Sequence, residues 1–278
     1  MNVTVFTAIV FFGAFVAGFL GSLTGLGGGV VIVPLLTIVF GVDIRYAIGA
    51  SLVSVIATSS GAAAAYVKEG YSNIRIGMFL EIATTIGAIL GAFIAGWVST
   101  RVIGFIFGFV LLYSAYLSTR SQPHVAISDE EDSLARRLKL HGTYPTSTGL
   151  KEYVAQRVRL GFALMFGAGT LSGLLGIGSG AVKVLAMDQA MRLPFKVSTT
   201  TSTFMIGVTA AASAGVYLNR GYIDPGLAMP VMLGVLGGAL LGSRFLVSAK
   251  TRSLRWIFAA VIVALGMEMI YNSVIGRI

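Results

Sequence analysis

The chain reads as an all-α integral membrane protein of two inverted repeats, each a Gly-broken or re-entrant helix hairpin followed by three transmembrane helices. Composition, run length and an internal repeat lead there. Of 278 residues, 56% are hydrophobic and only 11% charged, against about 45–50% and about 25% in an ordinary soluble domain. A water-soluble fold of this size would lack the polar side chains to cover its surface. The apolar residues fall in long runs, and a bilayer-spanning helix needs about 20 of them. The sequence also repeats itself at a constant offset of 151 residues, without a gap from residue 18 to about 110.

In the first half, residues 1–119, apolar runs cover about 4–24, 29–40, 44–67, 76–98 and 102–118. In the second, residues 158–278, they cover about 158–175, 180–191, 195–218, 226–247 and 254–275. The opening run outlasts a signal peptide's apolar region and follows no positive stretch, so it is expected to stay in the mature protein. Runs 29–40 and 180–191 are too short to span at 1.5 Å per residue. Each follows a glycine cluster, which predicts half of a broken or re-entrant helix. The offset pairs Gly25, Gly27 and Gly29 with Gly176, Gly178 and Gly180, Ser51 with Ser202, Thr58 with Thr209, and Gly87 with Gly238. Matching glycine interruptions in two halves point to a transporter's binding site. Glycines recur in any packed membrane bundle, but such recurrence would not keep a constant offset.

If the broken segment returns to its own side, each half crosses the membrane an odd number of times and the halves are inverted. Basic residues set the sidedness. Lys68, Arg75, Arg192, Lys196, Lys250, Arg252 and Arg255 fall on one side. Arg120, Arg136, Arg137, Lys139, Lys151, Arg157 and Arg159 of the polar stretch join them, while Arg45, Arg101, Arg220 and Arg277 fall on the other. That bias makes the first side cytoplasmic and puts both termini outside, in a cell (inner) membrane. It also accounts for the net charge of +9 without nucleic acid, since no basic patch interleaves with aromatics. Residues 120–157 read as a cytoplasmic linker with a short amphipathic helix. Ser128 fits its N-cap and Glu131 its N3 position, with Arg136, Arg137 and Lys139 in the last turn, as the helix dipole favours. A solvated connection is the expected role. Trp97 and Trp256 fit interfacial anchors.

The chain has no cysteine, and its two histidines, His124 and His141, lie in the polar stretch. Intramembrane thiolate or histidine chemistry is therefore not expected, nor is a metal or cofactor. What remains is an anion site. A half-helix that starts just after a glycine cluster aims free N–H groups and a positive dipole end at the break. Gly25, Gly27 and Gly29, and Gly176, Gly178, Ser179 and Gly180, are the candidates. No Gly-Lys-Ser/Thr follows, so these are not P-loops. Ser51 and Ser202 add hydroxyls that could ligate an oxyanion without the desolvation cost of a full charge. Their plainer role is to bond helix carbonyls.

Charges inside apolar runs are costly and mark function by default. Lys183 stands three residues past the second break, opposite Ile32 in the repeat, and is a candidate counter-charge unless Asp188 neutralises it. Glu81 is a candidate carrier of a coupling proton. Arg244, aligned with Phe93, is a second candidate in coupling, or snorkels to the interface.

The run Gly-Phe-Leu-Gly-Ser-Leu-Thr-Gly-Leu-Gly-Gly-Gly-Val-Val-Ile-Val-Pro at 18–34, the Ala-Ile-Gly-Ala-Ser-Leu run at 47–52, and Gly70 resemble the TauE/SafE sulfite exporter family. The second half repeats the pattern at 169–221. The resemblance covers nearly the whole chain outside 120–157. It implies a polytopic transporter of two repeated halves that carries sulfite, an organosulfonate such as sulfoacetate, or another small carboxylate. The glycines at 25, 27, 29, 176, 178 and 180, with Ser51 and Ser202, are the matching positions. Ser179 for Gly28, Leu185 for Pro34 and Lys183 for an aliphatic depart from the pattern of the first half.

These readings converge on a secondary transporter of a small anion in the lipid bilayer, not an enzyme, working by alternating access with the anion held between two Gly-broken helices. Sulfite or a sulfonate is the leading substrate and a small carboxylate the alternative. From other classes, a membrane-complex subunit stays open, as does an intramembrane Ser–Lys hydrolase using Ser179 and Lys183 at i, i+4. A channel would differ from a transporter by flux that does not saturate. A homo-oligomer is compatible with all of them.

Overall fold

The computed structural model describes residues 3–24, 29–68, 72–119, 132–146, 149–246 and 251–278. The expected capping box at Ser128 and Glu131 lies outside these residues, as do Gly25 and Gly27. The first half contains α1 (Val3–Thr24), α2 (Gly29–Pro34), α3 (Ile44–Lys68), α4 (Ile74–Ala95) and α5 (Thr100–Thr119). Between the halves stand α6 (Ser133–Arg137) and the strands β1 (His141–Thr146) and β2 (Gly149–Val154). The second half contains α7 (Val158–Leu175), α8 (Gly180–Leu185), α9 (Phe195–Asn219), α10 (Pro225–Leu246) and α11 (Thr251–Ile275). Among the described residues, four helices are long and apolar enough to cross a membrane: α4, α7, α9 and the Pro225–Gly242 stretch of α10.

The repeat survives folding residue by residue. α2, α3 and α4 start and stop 151 residues before α8, α9 and α10. A π-helical turn follows α2 at Leu35–Val39, and another follows α8 at Ala186–Ala190. Pro34 removes an amide from the first ladder, yet Leu185 stands at the same junction in the second half. The wide turn therefore does not require proline.

Each short helix turns back toward the start of the helix before it. Phe40, past the first π turn, packs edge-on against Phe6 near the start of α1, with ring centroids 6.0 Å apart. Met191, its mate, lies against Gly161 near the start of α7, where a Cβ would meet its Cγ and Sδ.

The two halves interlock through pairs of parallel helices. A Cβ on Gly87 of α4 would strike the Phe166 carbonyl of α7, and one on Gly91 would strike that of Thr170. The mates behave alike: Gly238 of α10 lies on the Phe15 carbonyl of α1, and Gly18 lies on the Val235 backbone as Gly169 lies on that of Thr84. Lipid supplies no hydrophobic drive between helices, so close backbone approach at small residues is what holds them. The outer face of α4 shows the complement: Met78, Ile82, Ile86, Leu90 and Phe93 are exposed, as lipid contact requires.

α4 and α9 also run parallel, in a fixed register. The Asn73 amide donates to Thr201 Oγ1 at 3.0 Å, Thr209 Oγ1 to Glu81 Oε1 at 2.7 Å, and Arg220 Nη1 to the Ala92 carbonyl at 3.0 Å. All three links join residues 128 apart.

The described part of the connection between the halves, residues 132–146 and 149–157, is docked rather than solvated. Asp132, not Ser128, caps the described helix, accepting from the Leu134 amide at 2.9 Å, and its second oxygen accepts from Val158 at the start of α7. β1 and β2 pair antiparallel from His141↔Val154 to Thr146↔Gly149. Ala135, Leu140, Tyr153 and Ala155 are buried in one cluster with Ile76, Leu80, Met187 and Val197. Asn73, the N-cap of α4, donates through Nδ2 to the Tyr153 hydroxyl at 2.8 Å. Burial pushes the Tyr153 phenol above its ordinary pKa, and the bond from Asn73 works against that. Sequence patterning missed this hairpin, because Leu140, Tyr153 and Ala155 are too sparse to mark an apolar face.

Candidate functional site

The two helix breaks meet in the middle of the bundle. Ser51 Oγ lies 2.8 Å from the Gly176 carbonyl and 3.4 Å from that of Gly29. Ser202 Oγ repeats the second contact, 3.3 Å from the Gly180 carbonyl. A serine hydroxyl has one proton to give. In this conformation Ser51 commits it to the second break, and its oxygen keeps only accepting lone pairs. The two serines thus fasten the breaks to α3 and α9.

The second break is tightly turned. Gly176, Gly178 and Ser179 have φ of 68°, 70° and 45°, in the left-handed region. Glycine is at ease there and serine is not. A Cβ on Gly178 would also press on Ile206, and one on Gly176 on Ile48. The Ser179 hydroxyl is buried and has no hydrogen-bond partner. The first intrahelical bond of α8 runs from Lys183 N–H to the Ser179 carbonyl, so the amides of Gly180, Ala181 and Val182 precede the ladder.

Lys183 is fully buried. Its Nζ donates to Thr209 Oγ1 of α9. Thr209 Oγ1 in turn lies 2.7 Å from Glu81 Oε1 of α4 and 2.8 Å from the Met205 carbonyl of its own helix. Thr85 Oγ1 donates to the same Glu81 oxygen at 3.1 Å. Glu81 is 5% exposed, and its Oε2 has no partner. The carboxylate facing Lys183 is therefore Glu81, reached through Thr209; Asp188 was the candidate that sequence order suggested. Proximity along the chain could not reveal a partner on α4.

The fixed register places this chain of groups in depth. Glu81 stands eight residues from Asn73 and eleven from Ala92, about 12 Å and 16 Å at 1.5 Å per residue. That is near the centre of a hydrocarbon core about 30 Å thick. Three arginines stand together at one end of the bundle. Arg45 donates to the Val98 carbonyl and Arg220 to those of Ala92 and Phe93. Arg101 lies beside Gly276 at the same end.

The structure therefore brings together Gly29, Ser51, Gly176, Gly178, Ser179, Gly180, Lys183 and Ser202, with Glu81 beside them. Gly25 and Gly27 lie outside the described residues, as does the side chain of Arg244. Thr209 was not singled out from sequence, although its repeat mate Thr58 flagged the position. For a Ser–Lys hydrolase, the Lys183 amine would have to face Ser179; it faces Thr209 instead.

The profile of the sulfite exporter TauE/SafE family matches residues 10–269. The chain belongs to that family. It is 28% identical over 267 residues to the probable membrane transporter protein YunE of Bacillus subtilis, covering 93% of this chain and 95% of that one. A probable membrane transporter protein of Methanocaldococcus jannaschii is 24% identical, with 92% of each chain covered. One of Xylella fastidiosa is 26% identical, again with 92% of each covered. No solved structure gives a significant match. The protein is a multi-pass membrane transporter of this family.

Proposed function

We propose that this TauE/SafE protein is a secondary transporter of a small sulfur oxyanion, sulfite or a sulfonate such as sulfoacetate. The observation that carries the reading is Lys183: a fully buried cation one turn into the half-helix at a glycine break, near the middle of the bilayer, where an unneeded charge would be removed. The anion sits at the second break. Lys183 offers charge, the Ser179 hydroxyl a free donor, and the amides of Gly180 to Val182 a positive helix end. Gly29 stands at the facing break, and the sequence repeat adds Gly25 and Gly27 as candidates there. Ser51 and Ser202 hold the two breaks in register.

The halves sit inverted in the cell (inner) membrane. Supporting this, the short helices double back, and α4 runs parallel to α7 while α1 runs parallel to α10. Rocking of one half against the other then exposes the site to each side in turn. The charge bias along the sequence puts the central segment in the cytoplasm and both termini outside.

The test is flux in liposomes with sulfite, sulfate, sulfoacetate, methanesulfonate and acetate. Wild type is expected to show saturable flux of sulfite or a sulfonate. Lys183→Ala should weaken it at least about 100-fold, in keeping with the loss of a buried charge contact worth about 3 kcal/mol. Ser202→Ala should weaken it less. Acetate carried in preference to the sulfur anions would replace the substrate, and no saturable flux of any anion would overturn the transporter reading.

A further inference from the structure

We propose, resting on the anion site just described, that Lys183, Thr209 and Glu81 form a relay that carries one proton with each univalent anion. The argument begins with charge. Lys183 and Glu81 are both buried, and the charge that acts on each is the other. The other charged residues on the elements packed around them are Arg75 at the start of α4, Arg159 on α7, Lys196 at the start of α9, Arg220 at its end and Asp188 past α8. With the site empty, Lys183 and Glu81 balance.

An anion that takes Lys183 breaks the balance. Glu81 is then a buried carboxylate without a counter-charge, which costs several kcal/mol and is relieved by neutralisation. The atoms for this are in place. Glu81 Oε1 already accepts from Thr209 and Thr85, while buried Oε2 accepts from nothing. Oε2 is therefore the oxygen with a lone pair free to take a proton. Thr209 has one hydroxyl proton and two acceptors in reach, Glu81 Oε1 and the Met205 carbonyl. When Glu81 is neutral, Thr209 can turn its proton to Met205 while Thr85 still donates to Oε1.

The cycle balances. Anion and proton bind from one side, giving Lys183 with the anion and a neutral Glu81 carboxyl. Both leave on the other side, and the Lys183–Thr209–Glu81 chain reforms. No net charge moves, and no bond other than O–H is made or broken. The relay belongs to one half alone: the repeat mates of Lys183, Thr209 and Glu81 are Ile32, Thr58 and Met232. Thr58 spends its hydroxyl on its own helix, on the Ser54 and Val55 carbonyls. The coupling is therefore one proton per molecule rather than two.

The experiment uses the full-length protein in liposomes with a trapped pH dye, a clamped membrane potential, and methanesulfonate as probe. Methanesulfonate is a fully ionised univalent anion near neutral pH, so any accompanying proton travels on the protein. An interior one pH unit more alkaline should accumulate methanesulfonate about tenfold, since a tenfold ratio corresponds to about 1.4 kcal/mol, with protons entering alongside. Glu81→Gln should keep one-for-one anion exchange and lose the gradient-driven accumulation, to a ratio near one. The surviving exchange shows that this variant is folded. Thr209→Val should slow proton-driven uptake about tenfold more than it slows exchange. Accumulation by Glu81→Gln equal to wild type, or wild-type accumulation without proton influx, overturns the relay and leaves the anion site standing. Absence of saturable methanesulfonate exchange in wild type overturns the sulfonate site and the relay with it.

Discussion

The two halves share a backbone and differ in chemistry. α2 and α8, α3 and α9, and α4 and α10 match to the residue, and Ser51 and Ser202 touch equivalent carbonyls at 3.4 and 3.3 Å. Glycine contacts between the halves also come in pairs. The charges do not: where the second break meets Lys183, Thr209 and Glu81, the first meets Ile32, Thr58 and Met232. The duplicated features are those that let helices break, turn and approach. The unduplicated ones can bind an ion or a proton. On the proposed reading, the symmetric features are scaffold and the asymmetric ones carry function.

The sharpest way to break this contrast is to impose the first half on the second. Lys183→Ile should strand the Glu81 carboxylate in the protein interior. The expected cost is about 3–5 kcal/mol, read as a lowered melting temperature in detergent, together with loss of saturable flux. Adding Glu81→Met should restore most of the stability and none of the flux. If the double variant transports, the asymmetry is not functional.

A second substitution pair tests the shared scaffold. Gly87→Ala would press a methyl group on the Phe166 carbonyl, and Gly238→Ala on that of Phe15. Backbone must move in both, at about 1–3 kcal/mol each. The two sites occupy equivalent interfaces in different halves, so equal and additive losses in denaturation are expected. Unequal losses would show that the interfaces differ in energy as well as in sequence.

The smallest effect has the opposite sign. Ser179→Gly gives the second break the residue that stands at position 28 of the first. Ser179 has φ of 45° and an unpartnered buried hydroxyl, so the change should stabilise by about 1 kcal/mol. If the hydroxyl also holds the anion, KM should rise at the same time. A more stable protein with unchanged KM would remove Ser179 from the site.

Much of this was legible beforehand. Composition and run length announced membrane helices, because 20 apolar residues in a row have one stable home. The offset of 151 announced the repeat and, through its glycines, the breaks. Lys183 stood out because its mate is an isoleucine. Thr209 did not stand out, because a threonine in a hydroxyl-rich helix has a ready carbonyl in its own ladder. The role of Ser51 was only half visible, since sequence cannot say whether a hydroxyl faces a ligand or a neighbouring carbonyl.

The sequence by itself determined which segments enter the bilayer, where the chain breaks and which residues are duplicated. These follow from local physics: hydropathy over one helix length, and the freedom of glycine to take positive φ. Only the tertiary structure decided that Glu81 answers Lys183, that Thr209 stands between them, and that the connecting segment folds down as a hairpin on Asn73. Those contacts join helices more than a hundred residues apart or pack a few scattered side chains. They depend on the register in which α4 lies against α9, which is set by how the whole bundle packs.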